Sequence, residues 1–340
     1  MKVLSWLRPA APSAKGTSLP QPSLRALTVM LTELCNLDCW MCDFASSKGQ
    51  QQRLPWSPED LVAFLSHRHF AGLRRIVFTG GEPFVHPGIR DIYSALQDRF
   101  PDLTVAFSSN ATLHGRMAET FRLCRDWRRT KLMTSIDGLE MHDVQRGMAG
   151  AFDKSFGNLQ KLRSEFPRLG IELKFTITPR NHHELLAAWE HCTRHGFAFT
   201  AKFVENNAYY TNRLSFDEHR EDFQFTAQAI DDVRRQLDTI IARAPRHRTM
   251  RELRDSLASG WQRSGRCATP SQGAFLDSRL NLFTCKEYPP VLNLGRQSLD
   301  DLATLPGYAQ VCSAEAANAA HCTRCTSPQK LETVRMPWDS

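Results

Sequence analysis

Between Leu27 and Val204 the chain alternates short apolar runs with longer stretches of helical spacing. The runs are Leu27–Leu31, Arg75–Phe78, Thr104–Phe107, Lys131–Ile136, Glu172–Ile177 and Phe199–Val204. The helical stretches include Pro58–Ser66, Ile89–Arg99, Phe152–Glu165 and Glu184–His195. Ser57 before Pro58 suits an N-cap followed by proline at the first helical position. Strands separated by helices pair in parallel, because each return to the sheet needs a long crossover. The expected fold is α/β, a partial (β/α)6 barrel or open sheet. Its chemistry should sit in the loops at the strand C-termini.

Beyond Val204 the rhythm changes. Phe223, Ile230, Val233, Leu237, Ile240 and Ile241 recur at helical spacing and predict one long amphipathic helix. From Gly260 onward the chain is rich in Gly, Pro, Ser and Cys. Phe275–Leu276 and Leu282–Thr284, around a turn starting at Asp277, read as a small hairpin. So small a unit has little apolar material for a core, and a metal cluster is the usual substitute. Four regions are expected: a loose Pro-rich arm at 1–24, an α/β core at 25–215, a helical connection at 216–258 and a small Cys-rich α+β domain at 259–340.

The 340 residues carry 43 Lys and Arg against 36 Asp and Glu, a net charge of +7. Such a surplus favours acidic partners. With 41% apolar and 23% charged residues, the composition excludes a mainly disordered chain. No run approaches the roughly 18 apolar residues of a membrane span. The first residues lack the apolar stretch of a signal peptide. A cytoplasmic protein is expected, with neither membrane nor nucleic acid as partner.

Ten cysteines in a chain without an export signal point to metal or redox chemistry rather than to disulfides. Cys35, Cys39 and Cys42 form C-x3-C-x2-C directly after the first strand. Three thiolates there can converge on a cluster and leave one metal position open. A structural zinc with a distant fourth ligand, or three unrelated core cysteines, are the plainer readings. One strand later comes Thr79-Gly80-Gly81-Glu82-Pro83, two glycines that admit close backbone approach and a carboxylate suited to an ammonium group.

With these segments the chain resembles the radical SAM superfamily. The matching residues are Cys35-Asn36-Leu37-Asp38-Cys39-Trp40-Met41-Cys42, Gly80-Gly81-Glu82-Pro83, Ser109-Asn110-Ala111-Thr112 and Ser135-Ile136-Asp137-Gly138, followed by His142-Asp143 and Arg146-Gly147. They run in order through residues 27 to 205. The position before the third cysteine, often aromatic in that superfamily, is Met41, with Trp40 one place earlier. The resemblance implies a 4Fe–4S cluster held by Cys35, Cys39 and Cys42 whose open iron binds S-adenosylmethionine. It implies that Gly81 and Glu82 hold the methionine ammonium, that Ser135 and Arg146 hold the carboxylate, and that Asn110 lies near the ribose.

Cys267 and Cys285 flank the expected hairpin, and Cys322-x2-Cys325 follows. Four thiolates can complete a tetrahedral zinc site or a fully ligated 4Fe–4S cluster, and spacing does not choose. The resemblance extends here to the twitch domain, the shortened SPASM extension of radical SAM enzymes, and implies one auxiliary 4Fe–4S cluster. No further cysteine follows Cys325 in the 15 residues to the end, as the shortened form expects. Cys124 and Cys192 read as buried small hydrophobes on helices. Cys312 reads as an alternative ligand or a hydrogen-atom donor. The pair His191 and His195 reads as a solvated helix face. Glu205 and Asn206, after the last barrel strand, are candidate substrate contacts.

The expected function is therefore a radical SAM oxidoreductase or epimerase acting on a small polar metabolite such as a sugar or aminocyclitol. The alternative is a maturase that forms thioether or carbon–carbon crosslinks in a ribosomal peptide. Such maturases commonly carry a leader-binding module before the first strand, where about 25 residues are seen here. A non-catalytic metal-stabilised protein fits the motifs least. Acidic flavodoxin or ferredoxin is the expected electron donor for a basic chain.

Overall fold

The computed structural model describes residues 23–46, 52–204, 220–260, 267, 269–285 and 288–317. The arm before residue 23 lies outside them. Leu24, placed at the arm's end by the sequence, is already buried and donates its N–H to the His69 carbonyl at 3.0 Å.

Six strands form in the expected places: β1 (Ala26–Thr32), β2 (Arg75–Gly80), β3 (Thr104–Ser109), β4 (Thr130–Ser135), β5 (Gly170–Ile177) and β6 (Ala198–Phe203). Between them lie α1 (Asp43–Ser46), α2 (Pro58–Leu65), α3 (Ile89–Arg99), α4 (His114–Phe121), α5 (Met141–Arg146), α6 (Ala151–Glu165) and α7 (Leu185–Arg194). Ser57 caps α2 as its sequence predicts: its hydroxyl accepts from Asp60 N, and the Asp60 carboxylate accepts from Ser57 N. The predicted long helix is α8 (Ala227–Arg243), capped by Thr226, with Arg220–Phe223 a separate 3-10 turn and α9 (Arg248–Ala258) a second helix.

All six strands are parallel, each beside its predecessor in sequence. A monotonic order winds every crossover in one direction and keeps the helices on one face. Side chains alternate accordingly. Leu27, Val29, Ile76, Phe78, Val105, Phe107, Leu173 and Phe175 join the main core with Leu61, Phe64, Tyr93, Phe121 and Leu159 from the helices. Their sequence neighbours, such as Thr28, Arg75, Ser108, Lys174 and Lys202, point to the other face and remain half-exposed. That face is the lumen of the partial barrel.

Downstream, α10 (Thr269–Gln272) precedes β7 (Gly273–Leu276), β8 (Asn281–Phe283) and β9 (Leu292–Asn293), and α11 (Pro306–Ala316) follows. The hairpin falls where predicted, with Phe275 opposite Phe283 and Leu276 opposite Leu282. It is not a separate sheet. β7 pairs in parallel with the free edge of β1, Leu27 against Ala274, so one nine-stranded sheet crosses the expected boundary at residue 259. Edge pairing between distant segments has no signature in either one.

Candidate functional site: the loop after the first strand

The cysteine loop leaves β1 at Thr32 and is clamped from two sides. Gly81 N donates to Thr32 O and Glu82 N to Leu34 O, both at 2.8 Å. Across the loop, Asp38 N donates to Arg146 O at 3.3 Å. Glycines make these approaches possible. A Cβ on Gly80 would overlap Thr32 O, one on Gly81 would overlap Leu34 O, and one on Gly147 would overlap Asp38 O. Gly80 and Gly147 also have φ of +145° and +63°, which side chains disfavour. The glycines read from sequence as making room for a ligand thus make room first for the cysteine-bearing backbone.

Cys35, Cys39 and Cys42 are all half-buried. Leu37 N lies 3.5 Å from Cys35 Sγ, Asn110 Nδ2 lies 4.0 Å from it, and Arg146 Nη1 lies 3.7 Å from Cys39 Sγ. Burial pushes the Cys35 thiol up to about 11 and the Cys42 thiol up to about 12, so ligation must displace protons from both. Among the described residues no three His, Cys, Asp or Glu side chains are arranged around one ion. A four-iron cluster has no such need, since each thiolate meets a different iron. A soft trio with N–H donors beside its sulfurs fits that group.

Glu82 is fully buried, and its carboxylate faces β3. It accepts from Phe84 N at 3.1 Å, Ser109 Oγ at 2.9 Å and Asn110 N at 2.8 Å. Burial nevertheless pushes its pKa up to about 7, with those three donors pulling the other way. The carboxylate expected to meet an ammonium is thus also a strut between β2 and β3. Asn110 Nδ2 also donates to Asn36 Oδ1 at 2.9 Å, tying the β3 turn to the cysteine loop. Ala111 in that turn has φ of +58°. Two α6 side chains missed in the sequence hold the strained turn. Ser155 Oγ donates to Asn110 O at 2.8 Å, and Asn158 Nδ2 donates to Ala111 O at 2.9 Å. Their signal was two polar residues three apart on the buried side of α6.

Ser135 closes β4 at the lumen. Arg146, from α5, is ion-paired to the fully buried Asp137, whose other oxygen accepts from Thr176 N at 2.7 Å. Asp137 stood in a matching motif but was given no role. Arg146 Nε is buried without a hydrogen-bond partner, so the guanidinium keeps a donor for a ligand. His142 beside it is pushed down to about 3 by burial and the Arg146 charge, and accepts from Asp137 N at 3.0 Å. Met41 is buried. Trp40 stacks on Phe223 with centroids 4.8 Å apart, lies under the Arg180 guanidinium at 4.1 Å, and donates to Gln145.

The hairpin abuts this loop. Phe275 and Phe283 pack with Met30 and Phe44 beside Cys42. Glu33 accepts from Ser278 Oγ at 2.8 Å and from Arg279 Nε at 3.1 Å. Cys267 and Cys285 are described and half-buried, whereas Cys322, Cys325, Glu205 and Asn206 lie outside the described residues. Cys312 sits on α11 against Tyr308, its thiol raised by burial. Cys192 is a core residue of α7, as expected. Cys124 lies in the turn after α4 rather than on a helix, with its thiol 3.3 Å from Thr130 Oγ1. His191 is not on a wholly solvated face: its ring packs on Phe156 at 4.7 Å.

Residues 29–186 match the model of the Radical SAM superfamily. The Bacillus subtilis sporulation killing factor maturation protein SkfB is 28% identical over 176 residues, 51% of this chain and 41% of that one. An AdoMet-dependent heme synthase of Methanosarcina barkeri is 29% identical over 169 residues, 49% of this chain and 46% of that one. The matches thus span less than half the length of either relative. In fold, the chain superposes on Streptococcus suis SuiB bound to S-adenosylmethionine with a TM-score of 0.65 at 14% identity, over 89% of this chain and 72% of SuiB. The TM-score is 0.58, also at 14% identity, against anSMEcpe with bound AdoMet and Kp18Cys peptide, over 84% of this chain and 82% of that one.

Proposed function

Residues 29–186 belong to the radical SAM superfamily, and from that premise we propose an enzyme that removes a hydrogen atom from an unactivated C–H bond of a small polar metabolite, a sugar or aminocyclitol, in its dehydrogenation or epimerisation. The observation that carries this reading is the placement of Cys35, Cys39 and Cys42 at the C-terminal mouth of the lumen, with Arg146 and Asn110 beside the sulfurs. A 4Fe–4S cluster with S-adenosylmethionine supplies a 5′-deoxyadenosyl radical there when both are bound and reduced.

In this reading the chain's residues bind and orient. Arg146, with its free Nε–H, and Ser135 hold the carboxylate of S-adenosylmethionine, Gly81 and Glu82 meet its ammonium, and Asn110 approaches its ribose. Cys267, Cys285, Cys322 and Cys325 hold an auxiliary 4Fe–4S cluster, and Cys312 is the thiol nearest that region in sequence. Flavodoxin or ferredoxin would deliver the electron to this basic chain. The lumen wall, with Ser108, Thr176, Thr200 and Glu172, suits a hydroxylated molecule. A second reading, maturation of a ribosomal peptide, draws support from SkfB, whose name assigns it to the maturation of the sporulation killing factor.

The test is anaerobic reconstitution followed by iron analysis and assay of 5′-deoxyadenosine. About eight irons per chain are expected, half of them lost in the Cys35→Ala/Cys39→Ala/Cys42→Ala variant together with all cleavage. Fully loaded protein that never cleaves S-adenosylmethionine under strong reduction would overturn the reading.

A further inference from the structure

Four lumen-facing positions of the sheet are cationic. Arg75 on β2, Lys131 on β4, Lys174 on β5 and Lys202 on β6 all alternate with core residues that face the helices. Among the described residues of these strands, the one carboxylate on the same face is Glu172. Arg75, Lys131 and Lys202 have contacts of their own. The Lys174 side chain has neither a hydrogen bond nor an ion pair among the described residues. It lies in one row with Ser135, the last residue of β4, and Thr200 inside β6, two hydroxyl residues. Glu172 lies one lumen-facing step below. Its Oε1 accepts from Thr200 Oγ1 at 2.8 Å, and its Oε2 is buried without a partner.

An ammonium group in a half-closed cavity, with further cations near it, is stable when an anion joins it. A buried carboxylate oxygen without a donor calls for a hydroxyl. We propose that Lys174, Thr200 and Glu172 form the substrate subsite, beside the Ser135 end of the cofactor site, and that it takes a hydroxylated small molecule bearing an anionic group, Lys174 meeting the carboxylate or phosphate and Glu172 accepting from a hydroxyl. The electrostatics agree. Burial lowers the Lys174 pKa, Glu172 works against it, and the charges of Lys202 and Arg75 lower it further, so an anion beside Lys174 favours its charged form. This inference rests on the small-metabolite reading and narrows it: an aminocyclitol, itself cationic, is the wrong charge for the row.

The experiment is calorimetric titration of the anaerobically reconstituted enzyme with S-adenosylmethionine bound but no reductant. The probes are a matched series: glucose, glucose 6-phosphate, glucuronate and glucosamine. The two anions should bind at least about ten-fold more tightly than glucose, and glucosamine more weakly still. Which anion binds better separates phosphate from carboxylate. Lys174→Met should abolish the advantage of the anions and Lys174→Arg should keep most of it, while Arg235→Gln on exposed α8 should leave it unchanged. Equal binding of all four sugars, or anion binding that survives Lys174→Met, overturns the proposal. The readout needs no turnover, so loss of S-adenosylmethionine cleavage and loss of anion binding are separate failures.

Discussion

The guanidinium of Arg146 stands 3.7 Å from the sulfur of Cys39 and is ion-paired with the buried carboxylate of Asp137. One side chain thus joins the cysteine loop to the end of β4. Removing one partner of a buried pair leaves an uncompensated charge, which costs about 3–5 kcal/mol, whereas removing both leaves none. Arg146→Ala should therefore destabilise the protein by that amount in urea unfolding. The double variant Arg146→Ala/Asp137→Asn should be less destabilised than Arg146→Ala alone. Additive losses would show that the two groups do not act as a unit.

Two classes of glycine should respond oppositely to alanine. Gly81→Ala and Gly147→Ala each drive a methyl group into backbone of the cysteine loop. Each should cost about 1–3 kcal/mol and lower the iron taken up on reconstitution. Gly157, inside α6, faces open space: a methyl group added there would meet no heavy atom within 4 Å. Gly157→Ala should stabilise by about 0.5–1 kcal/mol with iron uptake unchanged. Normal iron uptake by both loop variants would refute the clamp.

Glu82 gives a pH signature. Its pKa rises from an ordinary 4.5 to about 7 on folding, chiefly through burial. The folded state therefore holds this proton more tightly than the unfolded state. The stabilisation is complete below pH 4.5 and is lost as pH rises through 7. The shift corresponds to about 3 kcal/mol across that window. Glu82→Gln cannot ionise. The difference in unfolding free energy between wild type and Glu82→Gln should therefore slope against wild type from pH 4.5 to 7 and flatten above. A difference independent of pH would show that the three donors offset burial in full.

The strands were legible because each is a short apolar run set between stretches of helical spacing, and that pattern is local. Gly80 and Gly81 could be read as positions that exclude a side chain, but a sequence shows the need for space and not what fills it. The pairing of β7 with β1 joins residues some 250 apart, and neither strand carries a mark of the other. Glu172-Leu173-Lys174 reads as a half-buried strand. That its polar side faces a lumen rather than solvent depends on the curvature of the whole sheet. Asp137 lay inside a recognised motif, yet its partner Arg146 emerges only when α5 folds back over β4.

Glu33 supplies the remaining link, two residues before the first cysteine. It is buried, and it accepts from Gln52 N at 3.0 Å, Ser278 Oγ at 2.8 Å and Arg279 Nε at 3.1 Å. The cysteine loop and the β7–β8 turn are therefore held by one carboxylate. Arg279 is half-exposed, so its charge contributes modestly, and Arg279→Ala should cost under about 1 kcal/mol. Ser278 is buried, and Ser278→Ala leaves one carboxylate oxygen short of a donor, at about 1–3 kcal/mol. Glu33→Ala removes the acceptor of three donors at once and should cost most. Because the link is to the hairpin, amide exchange at Phe275 to Phe283 should accelerate in Glu33→Ala while β4 and β5 stay protected. Acceleration spread evenly over the sheet would mean that Glu33 serves general stability rather than docking of the hairpin against the cysteine loop.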